Sequence, residues 1–449
     1  MITENPLGYE KPGKLLGKFA IPSIIAMLVS SLYNIVDQIF IGQGVGYIGN
    51  GATNVAFPLT TICMSISLMI GIGAAAKFSL ELGKGNPKEA AGCVGNAFWM
   101  AAVLGITYAV LVEIFAKPML NLFGATTENL SYAMDYVRIT AIGMPFLIYI
   151  NVLSNLIRAD GNPNYSMICL VAGAVVNTVL DPVFIFGLDM GVKGAALATV
   201  ISQVVSFSLS IAYMWRFKRV KIGREFLHPK ISKCVRMASL GMSNCLTQLA
   251  LTVMQIVMNN SLKHYGALSR FGEDIPLSSF GIISKINAIF ISVFVGIAQG
   301  AQPIVGFNYG AKKFDRVKEI YKLEIISSTV IAVIGFIVIQ CFPKQLISLF
   351  GSGDEMYMEF AVRFMRIFLF MIIVNGVQLI SSNFFSAIGK PLKGVILALS
   401  RQSLFLVPLI IILPIFLGVE GIAFSGPVSD ILAFTISVAV IARELHKMK

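Results

Sequence analysis

Apolar runs of about twenty residues, broken by short polar or basic stretches, recur along the whole chain. They fall roughly at 19–42, 54–76, 94–116, 136–157, 167–187, 193–215, 237–262, 276–299, 325–342, 360–386, 395–417 and 421–443. A helix of ~20 apolar residues crosses the bilayer hydrocarbon, whereas barrel strands are about half as long and alternate in polarity. The pattern therefore predicts an all-α polytopic membrane protein with twelve transmembrane helices. The first run reads IPSIIAMLVSSLYNIVDQIFIG and holds a carboxylate, Asp37, near its far end. A charge at mid-helix costs ~2.5–3.5 kcal/mol on insertion scales, so Asp37 calls for a compensating role.

The runs also repeat. At an offset near 227, Gly73 and Gly83 recur as Gly300 and Gly310, and Leu122-Phe123-Gly124 recurs as Leu349-Phe350-Gly351. Gly191-Val192-Lys193-Gly194 recurs as Gly418-Val419-Glu420-Gly421, and Gly161-x-Pro163 as Gly389-x-Pro391. Six spans per copy is an even number, so both copies enter the membrane in the same sense. The expectation is two parallel six-helix lobes, 1–225 and 226–449, joined by the basic stretch 216–236, with cargo between them.

Composition adds exclusions. Of the 449 residues, 56% are hydrophobic and 13% charged, and the mean hydropathy is +0.80. A net charge of +12 would suit nucleic acid if the basic residues were clustered on one face. Instead they alternate by loop. With the N-terminus inside, the inner segments hold 26 Lys and Arg and the outer ones 8, with Lys285 alone in a span. Both termini are therefore expected on the cytoplasmic side of the cell membrane, and the basic balance reports orientation and anionic lipid, with no nucleic-acid partner. The six Cys are scattered and the three His lie at or beyond span ends, which argues against a metal centre or an intramembrane enzyme. The first run is too long for a signal h-region and is expected to be retained as a span.

Counting 1.5 Å per residue from the outer span ends puts Asp37 at ~8 Å and both Asp181 and Thr199 at ~9 Å depth. Asn177 lies one helical turn from Asp181 on the same face. Pro182 removes a helical hydrogen bond beside that acid and frees oxygen ligands. Such an oxygen-only set suits H+ or Na+ as a coupling ion, with no other cofactor. Pro22, expected to kink the first helix, and Pro182 are the candidate hinges. In the second lobe, Lys285 and Asp430 both lie at ~14 Å and are a candidate charge pair. Tyr33, Asn34, Met64, Asn259, Asn375 and Gln378 are candidates for lining the cavity.

These features resemble the MATE (multidrug and toxic compound extrusion) family. The twelve spans, Asp37 with Pro22, and the stretch QGAQPIVGFNYGA from Gln299 to Ala311 carry the likeness. In the branch with its cation site in the first lobe, that site takes an Asp from helix 1, Asn-x-x-x-Asp from helix 5 and a Thr from helix 6. Asp37, Asn177, Asp181 and Thr199 match it. The resemblance implies an antiporter that exports amphipathic, often cationic drugs or dyes against inward H+ or Na+. A monomer is expected. The acids that other branches carry in helices 7 and 10 are missing, with Asn375 and Gln378 standing in helix 10. The alternative is a lipid-linked saccharide flippase of the same superfamily, whose pyrophosphate cargo would call for several cavity cations.

Overall fold

The computed structural model describes residues 5–448 apart from 128, 222, 224–228 and 350–354. The 225/226 boundary, His228 and the Phe350-Gly351 end of the second repeat lie outside the described residues. Eleven helices are each long and apolar enough to cross a membrane. They are α1 (Pro12–Gly46), α2 (Gly51–Gly83), α3 (Pro87–Leu122), α4 (Leu130–Ala159), α5 (Pro163–Gly187), α6 (Gly191–Arg216), α7 (Ile231–Ala267), α8 (Asp274–Gly310), α9 (Phe314–Cys341), α11 (Pro391–Leu417) and α12 (Val419–Lys447). The pair Glu355–Phe368 and Ile372–Ala387, bent by 50°, makes a twelfth, α10, if taken as one span. The chain is a multi-pass membrane protein.

Local sequence sets the helix ends. Proline opens α1, α3, α5 and α11, where its fixed φ suits the first turn and its missing N–H has no partner to lose. The Gly-x-Pro turns before α5 and α11 place Gly161 at φ 97° and Gly389 at φ 80°, a region that a Cβ would strain. Large apolar side chains such as Ile106, Ile114, Val179, Ile337 and Phe416 are exposed, as lipid-facing positions must be.

The two prolines singled out in the sequence behave differently. The backbone stays helical through Pro22, and the break in the first long helix comes instead at Gly46, with φ 78° and ψ −163°. Pro22 itself sits inside an unbroken stretch of helix. Next to it, the Ser23 hydroxyl donates to the Phe19 carbonyl at 2.9 Å, and the neighbouring backbone packs closely on α8. Pro182, by contrast, ends the regular α-helix, and α5 continues as a π turn over Val183–Gly187.

Helices α1 and α2 pack on α7 and α8 about as heavily as on α3–α6, so these four join the two halves of the chain, while the remaining helices pack mainly within their own half. Glycines set how close these crossings are. A Cβ at Gly83 would lie 2.1 Å from the Phe307 carbonyl oxygen, and one at Gly310 would lie 2.3 Å from that of Leu80. Leu80 and Phe307, like Gly83 and Gly310, are 227 residues apart, so the crossing exchanges with itself under the repeat offset. Gly73 against Met237 and Gly241 against Met69 each leave 1.9 Å, while Gly296 and Gly300 admit Ile24 and Ala20. In a bilayer, where apolar burial gives helices little reason to associate, such backbone approach is a main source of packing.

All these crossings lie toward the end of the bundle that carries both termini. Arg158 of α4, buried there, donates to Ser23 of α1 at 3.2 Å, Gln299 of α8 at 2.9 Å and its own Asn155 at 3.1 Å. The segment before α1 is tied down by Asn308, which donates to the Leu7 carbonyl, and by Lys313 and Arg316, which donate to those of Gly8 and Glu10. Farther along, Ser31 of α1 meets Ser292 of α8 at 2.5 Å. Beyond that contact, a cleft opens.

Candidate functional site

Two acids meet inside the first half. Asp37 comes from α1 and Asp181 from the last regular turn of α5, and their carboxyl groups lie within hydrogen-bonding reach of each other. Asn177, one turn back on α5, donates through its amide nitrogen to Asp181 Oδ1 at 3.1 Å. Tyr33 of α1 and Tyr136 of α4 stand close by. Asn177 and Asp181 are buried, and Asp37 is half-buried.

The oxygens left over define the chemistry. Among the described residues, Asp37 Oδ1, Asp181 Oδ2 and Asn177 Oδ1 are buried without a donor. Two bare carboxylates in contact repel, so the pair calls for a proton or a cation between them. Oxygen ligands without nitrogen or sulfur suit a hard ion. Thr199 of α6 is half-buried, and among the described residues its hydroxyl makes no hydrogen bond to the acids; its backbone carbonyl accepts from Ser202 at 2.7 Å. The structure therefore brings Asp37, Asn177 and Asp181 together, with Thr199 outside their hydrogen bonds.

The cleft between the halves measures about 410 Å³. Gln38, Ile39, Gly42 and Gln43 line it from α1, Asn54 from α2 and Lys285 from α8. The residues expected to line a cavity lie elsewhere. Tyr33 flanks the acid pair, Asn34 donates to the Ser30 carbonyl at 2.6 Å, and Met64 packs its sulfur on Asn151 of α4 at 3.6 Å. Asn259 and Asn375 are half-buried on α7 and α10. Gln378 is buried and donates to the Leu397 carbonyl of α11 at 2.5 Å, so it ties two helices together rather than facing cargo.

The Lys285–Asp430 pair expected from the sequence does not form. Asp430 of α12 instead accepts from Arg401 Nε of α11 at 2.5 Å, and both side chains are buried. Equal depth suggests the pairing, but depth does not fix the direction a helix face points. Arg401, a loop charge by the positive-inside count, lies ten residues into α11, at the start of a π-helical segment over Ser400–Leu406. Arg158, a loop cation by the same count, is buried as well. A further buried acid, Glu324 of α9, has an Oε1 without a donor among the described residues. The apolar run at 325–342 begins one residue after it, so a slightly earlier boundary is the signal that finds it. Nothing in the sequence marks Tyr136.

A bundle of this many spans, a cleft between its halves and a buried acid pair beside the cleft define a helical membrane carrier. The family follows from comparison: the MatE family model matches residues 22–183 and 244–412, and the chain belongs to that family. It is similar to the multidrug export protein MepA of Staphylococcus aureus strain N315, 25% identical over 429 residues that cover 95% of this chain and 93% of the relative. MepA of Staphylococcus haemolyticus strain JCSC1435 is also 25% identical, over 434 residues and the same shares. In fold, the chain resembles a crystal structure of MATE in complex with MaL6, with a TM-score of 0.93, 22% identity, and 99% and 98% of the two chains covered. A MOP superfamily transporter from Pyrococcus furiosus gives a TM-score of 0.92 at 22% identity with the same coverage.

Proposed function

We propose that this protein is a secondary antiporter that exports amphipathic drugs in exchange for inward H+ or Na+. Export of drugs follows from the names its relatives bear. The observation that carries ion coupling is the contact of Asp37 with Asp181, with three buried oxygens beside it that lack a donor. On this reading the termini are cytoplasmic, residues 1–225 and 226–449 are two lobes, and the glycine seam with Arg158 closes the inner side while the cleft faces out. An ion entering the acid pair alters α1, which carries Asp37 toward the lobe interior and Gln38 on the cleft wall. The lobes then rock, and cargo is loaded from inside. Each charge moving inward supplies ~2.3 kcal/mol per 100 mV, enough to drive uphill export. The flippase alternative is less well supported, since a pyrophosphate would need several free cations and Arg158 and Arg401 are both engaged.

The test is dye export from proteoliposomes under separately imposed pH and Na+ gradients. Asp37→Asn and Asp181→Asn should each lower gradient-driven export at least ~10-fold, since each removes one of the charges that hold the ion. Unchanged export in both variants would end the reading. Which gradient drives the wild-type protein identifies the ion.

A further inference from the structure

The cleft carries a charge of its own. Lys285 projects from the twelfth position of α8 into the space lined by Gln38, Gln43 and Asn54. Among the described residues its ammonium has no ion-pair or hydrogen-bond partner. Among the described residues the two buried basic side chains are both engaged, Arg158 by three side-chain oxygens and Arg401 by Asp430. Asp37 and Asp181 do not line the cleft; they face each other inside the first half. An unpaired ammonium in a spanning segment is costly and marks a functional site by default. Here its neighbours are three primary amides, each with two N–H donors, so the wall is rich in donors around a fixed positive charge. Ile39 supplies apolar surface, and about 410 Å³ is within the range that holds a drug-sized molecule.

We propose that the cleft takes amphipathic cargo bearing an anionic group, as a zwitterion or an organic acid, and that Lys285 holds that group. This rests on the export reading and narrows its substrate class. The acid pair is reserved for the coupling ion, and cargo is recognised by charge of the opposite sign on the facing half. A molecule with both a carboxylate and an amine satisfies Lys285 without competing for the acids.

The test uses a matched pair of dyes, a rhodamine carboxylic acid, which is zwitterionic, and its methyl ester, which is purely cationic. Export is measured in phosphatidylcholine proteoliposomes for wild type, Lys285→Met and Lys285→Arg. Binding of both dyes to the purified protein is followed by anisotropy. Without the charge-assisted hydrogen bond from Lys285, the Met variant should bind and export the acid at least ~10-fold less well. The ester should be unaffected, which also shows that the variant is folded, and Arg should retain the acid. If the ester and the acid fall together, or neither falls, Lys285 does not select cargo and the proposal is overturned. Export of the ester but not the acid by wild type would overturn it as well, with the export reading intact. Movement of neither dye under any gradient would instead sink the export reading. Adding phosphatidylglycerol separates the sources of the anion: competition with the acid that disappears in Lys285→Met identifies a lipid phosphate as an occupant, and its absence assigns the site to soluble acids.

Discussion

In the first half Asp37 of α1 faces Asp181 of α5 with no cationic side chain paired to either among the described residues, whereas in the second Asp430 of α12 is met by Arg401 of α11 at 2.5 Å. Both arrangements bury carboxylates, yet they answer the cost of burial in opposite ways. The second pair is complete as it stands, and nothing from solution is needed to neutralise it. The first has no such counter-charge, and on the coupling proposed above an ion completes it. The difference separates a fixed strut from a site that changes state. Removing one partner should therefore harm the second half more. Asp430→Asn or Arg401→Ala leaves a buried group unpaired and should lower stability by about 3–5 kcal/mol. Asp37→Asn removes a repulsive neighbour and should leave stability unchanged or higher. Thermal unfolding of detergent-purified protein measures both, and the double change Arg401→Met with Asp430→Leu should restore most of the loss. If Asp430→Asn left stability intact and abolished export, the roles of the halves would be reversed.

At the seam the halves should behave alike. Gly83 and Gly310 occupy matching places in one reciprocal crossing, each within 2.3 Å of a backbone oxygen once a Cβ is added. Backbone cannot yield as a side-chain end can, so Gly83→Ala and Gly310→Ala should each cost about 1–3 kcal/mol, by similar amounts. Gly17, where a Cβ meets nothing within 4 Å, is the control. Unequal losses in chemical denaturation would show that the crossing is not symmetric in energy.

The repeat diverges again at the turns. Asp160, before α5, accepts from the backbone N–H of Lys218 and Arg219 and from the Tyr213 hydroxyl. Its counterpart before α11 is the buried, apolar Ile388. Burial pushes the Asp160 carboxyl above its ordinary value, although those donors and the Arg219 charge pull it back. A folded value above the unfolded one means that folding takes up a proton. This group's contribution to stability therefore falls as pH rises from about 4 through the folded value, and is level above that. Asp160→Asn should remove that slope and, by losing one acceptor, cost about 0.5–1.5 kcal/mol at neutral pH. Paired melts of wild type and variant across the acid range isolate the effect from other carboxylates.

Span length and depth are legible in the sequence because both are linear in residue count. Asp37 and Asp181 can be set at one level, and Asn177 on one face with Asp181, by arithmetic along single helices. What is not legible is azimuth, the direction each helix turns toward its neighbours. Lys285 and Asp430 share an expected depth and face different places, and Thr199 shares one with acids to which, among the described residues, it makes no hydrogen bond. Charge counting misleads for a related reason. Arg158 and Arg401 sit near enough to loops to be tallied there, yet partners on other helices allow them to be buried. Sequence marks a charge, but not the oxygen that meets it.

The mildest expected effect concerns the rim at the end of the bundle away from the termini, where each half carries an exposed ion pair. Glu113 of α3 lies 3.6 Å from Arg138 of α4, and Glu420 of α12 lies 2.9 Å from Arg363 of α10. Both pairs are well solvated, so their Coulomb gain is small and is offset by the entropy of holding two long side chains. The Arg363 pair has the better geometry, since one guanidinium nitrogen reaches both carboxylate oxygens. Glu420→Gln should still cost no more than about 1 kcal/mol at low salt, and Glu113→Gln about half of that or nothing. Raising the ionic strength to ~1 M shortens the screening length to ~3 Å and should erase both differences. A Glu420→Gln loss that survived high salt would mean that this contact belongs with Arg401–Asp430 as a second strut, and that the fixed character of the second half extends to its rim.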